Sequence, residues 1–431
     1  MRIIVQLVLV IACARVAGAL FKRIGQPRVC GEIAAGLILG PSVFGALFPH
    51  LQGLVFDRAT GAHLSVISEV GLIFIMFLMG TGFEFGHLAT STRAAGFISA
   101  AGIMLPFSLG LPLGKWIYSE MALQVDQRGF TLFVAMALSI TAMPVLGRIM
   151  VEFNLTRTRL GALTITAAAM DDAVGWLLLA AVSAMITAQF RVGRLLLSAL
   201  EVFLYLLVMI YLVRPVLVRW TRRALRQGEG NLPAGALAQL MILFLASAAI
   251  TSAIGIFSVF GAFVMGAILH DQKEFCAAVN SRMADFVNVL FLPIFFTFTG
   301  LRTDIGSLAG TGSLLSAVSV TAIASIAKCG GCSIAARLSG LRWREALSVG
   351  TMMNTRGLVE LVVLNAGYDL GIIPKPVFFI FVMMAVATTY MTAPVLRRLI
   401  RGTELEENFS LSPFMQSRAS LVRSRATNRI A

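Results

Sequence analysis

Two adjacent acids stand deep inside an apolar run, Ala-Ala-Ala-Met-Asp171-Asp172-Ala-Val-Gly-Trp. A charge at that depth is costly and marks function by default. Adjacent helical residues point about 100° apart, so the two carboxylates cannot share one proton face to face. One is then held in a structural pair while the other faces a cavity. Lys328, central in its own apolar run, is the candidate partner. Two further polar stretches lie in apolar surroundings: Ser139-Ile-Thr141-Ala-Met-Pro144, and Asn354-Thr355-Arg356-Gly357 with Glu360 one helical turn after the arginine. Burial penalises a charged carboxylate, so a proton and a small hard cation compete for its oxygens. With hydroxyls and free carbonyls from two broken helices, such a site suits a dehydrated monovalent cation. Alternate exposure of the site to two sides would be cation:proton antiport.

The chain that must position these groups has 431 residues, 58% hydrophobic and 13% charged, with 30 Phe and 20 Met. A soluble domain carries about twice that charge and could not hide that much apolar surface. A soluble enzyme, a secreted disulfide scaffold and a disordered chain are excluded. The rarity of two-residue alternation favours helices over a membrane barrel. Runs able to cross about 30 Å of hydrocarbon fall at 3–20, 29–48, 65–83, 95–114, 129–150, 160–186, 195–213, 234–256, 258–270, 283–301, 312–336, 345–367 and 376–396. The expectation is thirteen transmembrane helices in an all-α polytopic membrane protein.

The net charge of +14 would suggest a nucleic-acid partner in a soluble protein. Here it is a topology signal. Of the 35 Lys and Arg, 24 lie in odd-numbered loops and the C-terminal tail, counting Arg148 at the end of the fifth span with the loop it enters, against 8 in the N-terminus and even-numbered loops. That asymmetry predicts an N-terminus outside and a C-terminus in the cytoplasm, in the cell (inner or plasma) membrane. Merging the eighth and ninth spans across Gly255 would spoil the alternation. Arg15 and the basic loop Lys22, Arg23, Arg28 fit a retained first helix better than a cleaved signal peptide. The five Cys read as small buried hydrophobes, Cys329-Gly-Gly-Cys332 included.

A repeat organises the spans. Gly31-Glu-Ile-Ala-Ala-Gly36 in the second matches Gly261-Ala-Phe-Val-Met-Gly266 in the ninth. Gly82-Phe-Glu84 ending the third matches Gly300-Leu-Arg302 ending the tenth. Both matches are seven spans apart, an odd offset, so the copies would cross the membrane in opposite senses. The reading is two inverted five-helix repeats with crossed broken helices, at about 29–186 and 258–396, joined by a linker helix at 195–213. Pro144 breaks the fifth span and the Asn354–Gly357 run the twelfth. Arg356–Glu360 and Glu84–Arg302 are candidate structural charge pairs.

At these residues the chain resembles the monovalent cation:proton antiporters of the second superfamily, the sodium/proton and potassium/proton exchangers. The resemblance is carried in order by Gly25-Gln-Pro27 through Gly31-Glu-Ile-Ala-Ala-Gly36-Leu-Ile-Leu-Gly-Pro41, Asp171-Asp172, Leu292-Pro-Ile-Phe-Phe296 to Arg302-Thr-Asp304, and Asn354-Thr-Arg-Gly-Leu-Val-Glu-Leu-Val-Val-Leu-Asn365. It implies a homodimer with a dimerisation domain and a moving core. It implies that Asp172 binds the cation (Na+ or K+) and protons, and that Asp171 pairs with Lys328 in the ion-free state. An intact Asp-Asp pair resembles the electrogenic branch, whereas Arg356-Gly-Leu-Val-Glu360-Leu is closer to potassium-efflux and plant exchangers.

Residues 1–397 are thus read as one exchanger domain and 398–431 as a short, disordered cytoplasmic tail. Ion and proton ligands are expected among Asp172, Asp171, Thr141 and Ser139. No cofactor, resident metal or nucleic acid is expected; the partners are the cation, protons, lipid and a second copy. A sodium-coupled organic-solute symporter or an ion sensor on the same fold is the alternative. An intramembrane aspartyl protease fits poorly, because its dyad must come from separate helices.

Overall fold

A computed structural model describes residues 2–412 apart from 25, 27, 57, 83–91, 157, 188–191, 229–231, 256, 304–310 and 404. In hydrocarbon a backbone must satisfy its own hydrogen bonds, which is why these apolar runs coil. In the first third of the chain lie α1 (Arg2–Arg23), α2 (Arg28–Leu39), α3 (Pro49–Val55), α4 (Arg58–Thr81) and α5 (Thr92–Glu120). Next come α6 (Gln127–Ser139), α7 (Met143–Glu152), α8 (Arg159–Thr187), α9 (Val192–Val208) and α10 (Arg214–Gln227). They are followed by α11 (Ala234–Ala253), α12 (Ser258–Ala267), α13 (Lys273–Phe286), α14 (Leu292–Arg302) and α15 (Thr311–Leu338). The chain then forms α16 (Trp343–Met353), α17 (Leu358–Asp369), α18 (Lys375–Leu399) and α19 (Leu405–Ser410). Wider turns at Met209–Val213 and Val287–Phe291 carry α9 into α10 and α13 into α14 without a break.

Among the described residues nine helices are long and apolar enough to cross a membrane. The difference from the expected thirteen has a local cause at each place. Apolar helix is shorter at Cys30–Gly45 and at Ser258–Ala267. The runs at 129–150 and 345–367 are each cut in two, into α6 and α7 and into α16 and α17.

The chain forms two compact units. One comprises Met1–Ile11, Phe44–Gly86 and Trp176–Phe298. In it α12 packs between α4 and α11, and Phe77 stacks on Phe244 with ring centroids 4.5 Å apart. The other comprises Ala12–Val43, His87–Gly175 and Thr299–Ala431. There α5 lies against α6 and α15, while α18 packs on α15, α16 and α17. Both cut helices and the paired acids belong to this second unit.

Glycines set the closest approaches, and they do so twice in the same way. A Cβ on Gly31 would strike the Ala17 carbonyl of α1, and one on Gly261 would strike the Ser247 carbonyl of α11; each target lies 14 residues upstream (31 minus 17, 261 minus 247). A Cβ on Gly300 would strike the Gly36 carbonyl, and one on Gly80 would meet Phe263 and Gly266. The glycine that meets Gly266 is Gly80, two positions before the Gly82 of the sequence match. Gly266→Ala should lower stability by about 1–3 kcal/mol, the usual cost of overpacking. Gly235→Ala, with open space around the added carbon, should cost nothing measurable in the same detergent melt.

The chain beyond α18 is structured in part. Leu405 and Phe409 of α19 are buried, Phe409 meets Phe153 edge-on at 5.2 Å, and Asn154 donates to the Asn408 carbonyl at 3.3 Å. The expected disordered tail has its residues 413–431 outside the described ones.

Candidate functional site

The break between α6 and α7 leaves backbone groups exposed at both new helix ends. The last carbonyls of a helix are orphaned and carry the negative end of its dipole, so cations belong there. Two arrive from distant parts of the sequence. Arg356 donates to the Ala137 carbonyl at 3.0 Å and to that of Leu138 at 2.6 Å. Lys328 donates to the Ser139 carbonyl at 2.5 Å and to the Gly102 carbonyl of α5 at 2.8 Å. Both side chains are fully buried.

The second break spans Asn354–Gly357. Gly357 has φ +153°, a conformation L side chains rarely adopt, and Val145 fills the space a Cβ would need. The Thr389 hydroxyl accepts from Arg356 N–H at 3.0 Å and donates to the Arg356 carbonyl at 2.6 Å, replacing helical partners lost in the break. The two breaks meet: Ala142 N–H donates to the Thr355 carbonyl at 3.0 Å.

At this junction the two acids have different surroundings. Lys328 Nζ lies 2.6 Å from Asp171 Oδ2. Ser99 donates to Asp171 Oδ1 at 2.6 Å, and the Thr141 hydroxyl to Oδ2 at 2.7 Å. Asp171 is thus held by one cation and two hydroxyls. Asp172 is equally buried, yet among the described residues it accepts only a long contact from Met143 N–H at 3.5 Å. That N–H opens α7, the positive end of a half-helix, which favours an ionised carboxylate. On the second break, Asn354 Oδ1 and Thr355 Oγ1 are buried without a hydrogen-bond partner among the described residues. Orphaned buried oxygens are uncommon and call for an explanation.

Among the described residues no three His, Cys, Asp or Glu side chains gather as a metal cluster. The oxygens brought together at the junction are carboxylate, hydroxyl and carbonyl, donors that suit hard cations.

The transmembrane sodium/hydrogen exchanger family model matches residues 8–400. The chain belongs to the sodium/hydrogen exchanger family. It is 37% identical to the Na(+)/H(+) antiporter NhaS4 of Synechocystis over 92% of this chain and 97% of that protein. It is 36% identical to cation/H(+) antiporter 18 of Arabidopsis thaliana over 91% of this chain, and spans 48% of that relative's length. The solved sodium proton antiporter MjNhaP1 of Methanocaldococcus jannaschii shares the fold, with a TM-score of 0.57 at 14% identity over 95% of this chain and 100% of that one. Exchangers of this family are multi-pass cation:proton antiporters, transporters rather than enzymes. They need no cofactor, and the cations are their substrates.

The exchanger's other predicted residues are placed as follows. The Ser139 hydroxyl donates to the Ala135 carbonyl at 2.7 Å, and the Ser139 carbonyl accepts from Lys328. Pro144 lies in the first turn of α7. Arg356 meets Glu360 at 3.2 Å, while the second Glu360 oxygen has no partner. Glu84 lies outside the described residues. Arg302 meets Asp369 at 2.8 Å, donates to Asn365 at 3.0 Å and lies over the Tyr368 ring at 5.2 Å.

Asp369 is more than half exposed, so this ion pair is screened by water. Asp369→Asn should cost about 0–1 kcal/mol, measured as a small midpoint change that vanishes in high salt.

Proposed function

We propose that this chain is a secondary active antiporter exchanging a monovalent cation, Na+ or K+, for protons by alternating access. The reading rests chiefly on one contrast among the described residues: Asp171 is held by Lys328, Ser99 and Thr141, whereas Asp172 has only a 3.5 Å contact, to the first N–H of α7. In this reading Asp172 is the carrier carboxylate, protonated in one half of the cycle and cation-bound in the other. Thr141, the unpartnered oxygens of Asn354 and Thr355, and carbonyls freed at the breaks supply the remaining ligands. Asp171 and Lys328 hold the ion-free state, and Lys328 shedding a proton as the cation enters makes exchange electrogenic. Arg356 and Glu360 hold the second break together.

Thirteen spans follow if the nine long helices, the two shorter apolar ones and the two cut runs each cross once. The paired glycine contacts support an inverted repeat seven spans apart. Because Gly31–Ala17 and Gly261–Ser247 take part, the correspondence includes α1 and α11 as well as the five spans per copy seen in sequence. Exchanger residues 1–397, a homodimer, a cytoplasmic C-terminus and the cell membrane complete the proposal.

The deciding experiment is exchange in proteoliposomes with Na+, K+ and Li+ across pH, with membrane potential clamped and unclamped. Cation-dependent collapse of a pH gradient is the expected result, accelerated by a favourable potential. A gradient that collapses only when an organic solute is added would replace the antiporter with a symporter; no flux at all would favour a sensor.

A further inference from the structure

One surface feature is not used by the exchange site. The helix that includes α10 runs unbroken over Leu200–Gln227, 28 residues, or about 42 Å at 1.5 Å per residue. That exceeds a hydrocarbon core of about 30 Å by two turns. The surplus falls at the end where the sequence changes character. Up to Val216 the exposed side chains are apolar, with Tyr211 75% and Val216 59% exposed. From Arg219 onward they are arginines.

Arg219, Arg222, Arg223 and Arg226 are all exposed and follow one another at helical spacings of three, one and three. That spacing puts them on one face. Leu217, Thr221 and Ala224 are buried on the other, and Trp220 is fixed there by Phe275, edge-on at 5.7 Å, and by Gln239 at 3.0 Å. The helix is therefore held in rotation, and its arginines cannot turn inward. Arg214 is paired with Asp271 at 2.9 Å. The other four have no ion pair with a described residue, and no acid occurs in sequence between Glu201 and Glu229. Basic residues collected on one side of a membrane account for how many arginines are here. That tendency does not account for four guanidinium groups on one face within about 10 Å of helix length, none paired with a described acid, directly beyond an apolar surface.

We propose that this arginine stripe on α10 is a binding surface for anionic phospholipid headgroups. A planar guanidinium donates two parallel hydrogen bonds to a phosphate. Four of them at headgroup depth hold phosphodiesters where water is already partly excluded. The surface lies on the unit that does not contain Asp172, so the proposal stands whether or not Asp172 carries the ion.

The test uses the full chain in neutral detergent, titrated separately with dioleoylphosphatidylglycerol, dioleoylphosphatidylcholine and inorganic phosphate while the melting midpoint is followed. Phosphatidylglycerol should raise the midpoint, and the other two should not. Each surface arginine contributes roughly fivefold in affinity. The variant R219Q/R222Q/R223Q/R226Q should then need at least about tenfold more phosphatidylglycerol for the same shift. The two-site variant R219Q/R223Q, a milder change, should be intermediate, and the four-lysine variant should keep most of the response. An unchanged phosphatidylglycerol response in the glutamine variants overturns the proposal. So does an equal response to phosphatidylcholine, or a shift reproduced by inorganic phosphate, which would mean a free-anion site. Loss of the dimer by light scattering with the lipid response intact would also overturn it, making the stripe a contact between copies.

Discussion

Vesicles carrying Asp172→Asn should show no cation-dependent loss of a pH gradient above that of protein-free vesicles. The amide has the carboxylate's shape, so the packing around α8 and the Met143 N–H contact at 3.5 Å survive. What disappears is the ability to release a proton and to carry a charge. An exchange cycle needs both at one group, because the cation must replace the proton on the same oxygens. The melting midpoint should hold or rise, since a buried charge with little compensation is expensive. Unchanged stability with lost exchange would separate a carrier from a scaffold residue. Exchange retained by the variant would remove Asp172 from the mechanism and leave Glu360, whose second oxygen is buried and unpartnered, as the next acid to test.

What the sequence disclosed and what it concealed follow from a single asymmetry. A charge inside an apolar run stands out because burying it is costly, so Asp171, Asp172, Lys328 and Arg356 could be named from residue type and position alone. The breaks were legible for a related reason: Pro144 removes a donor, and an Asn-Thr-Arg-Gly run cannot be solvated by lipid. The partners of those charges were not legible. Lys328 and Arg356 are received by carbonyls of Gly102, Ala137, Leu138 and Ser139. A carbonyl belongs to every residue type, and a helix end frees one whatever its side chain. Ser99 and Thr389 are single hydroxyls in apolar helices, indistinguishable in sequence from Ser and Thr that bond back to their own turn. The repeat read in the sequence aligned its glycines by a pattern of Gly and charge. Helix phase, which that pattern does not record, brings Gly80 rather than Gly82 against Gly266.

Lys328→Met should be the most destabilising of the single substitutions considered, by about 3–5 kcal/mol, the usual cost of stranding one member of a buried ion pair. Asp171 would keep the hydroxyls of Ser99 and Thr141 at 2.6 and 2.7 Å but lose the cation that compensates its burial. The Ser139 carbonyl at the cut end of α6 would lose its donor as well. Asp171→Asn strands the lysine in turn and should also lower the melting midpoint. The double variant D171N/K328M removes both charges and should recover most of the loss, because a buried pair and an apolar replacement are often close in stability. The Ser139 and Gly102 carbonyls remain unpaired in it, so recovery should stop short of complete. Exchange then decides what the pair is for. If the double variant regains both midpoint and electrogenic exchange, the pair only holds the fold. If it regains the midpoint while exchange slows or loses its dependence on membrane potential, Lys328 takes part in the proton count. The second outcome is expected, since Lys328 touches both Asp171 and the cut end of α6, and the other half of that span, α7, opens with the Met143 N–H that meets Asp172.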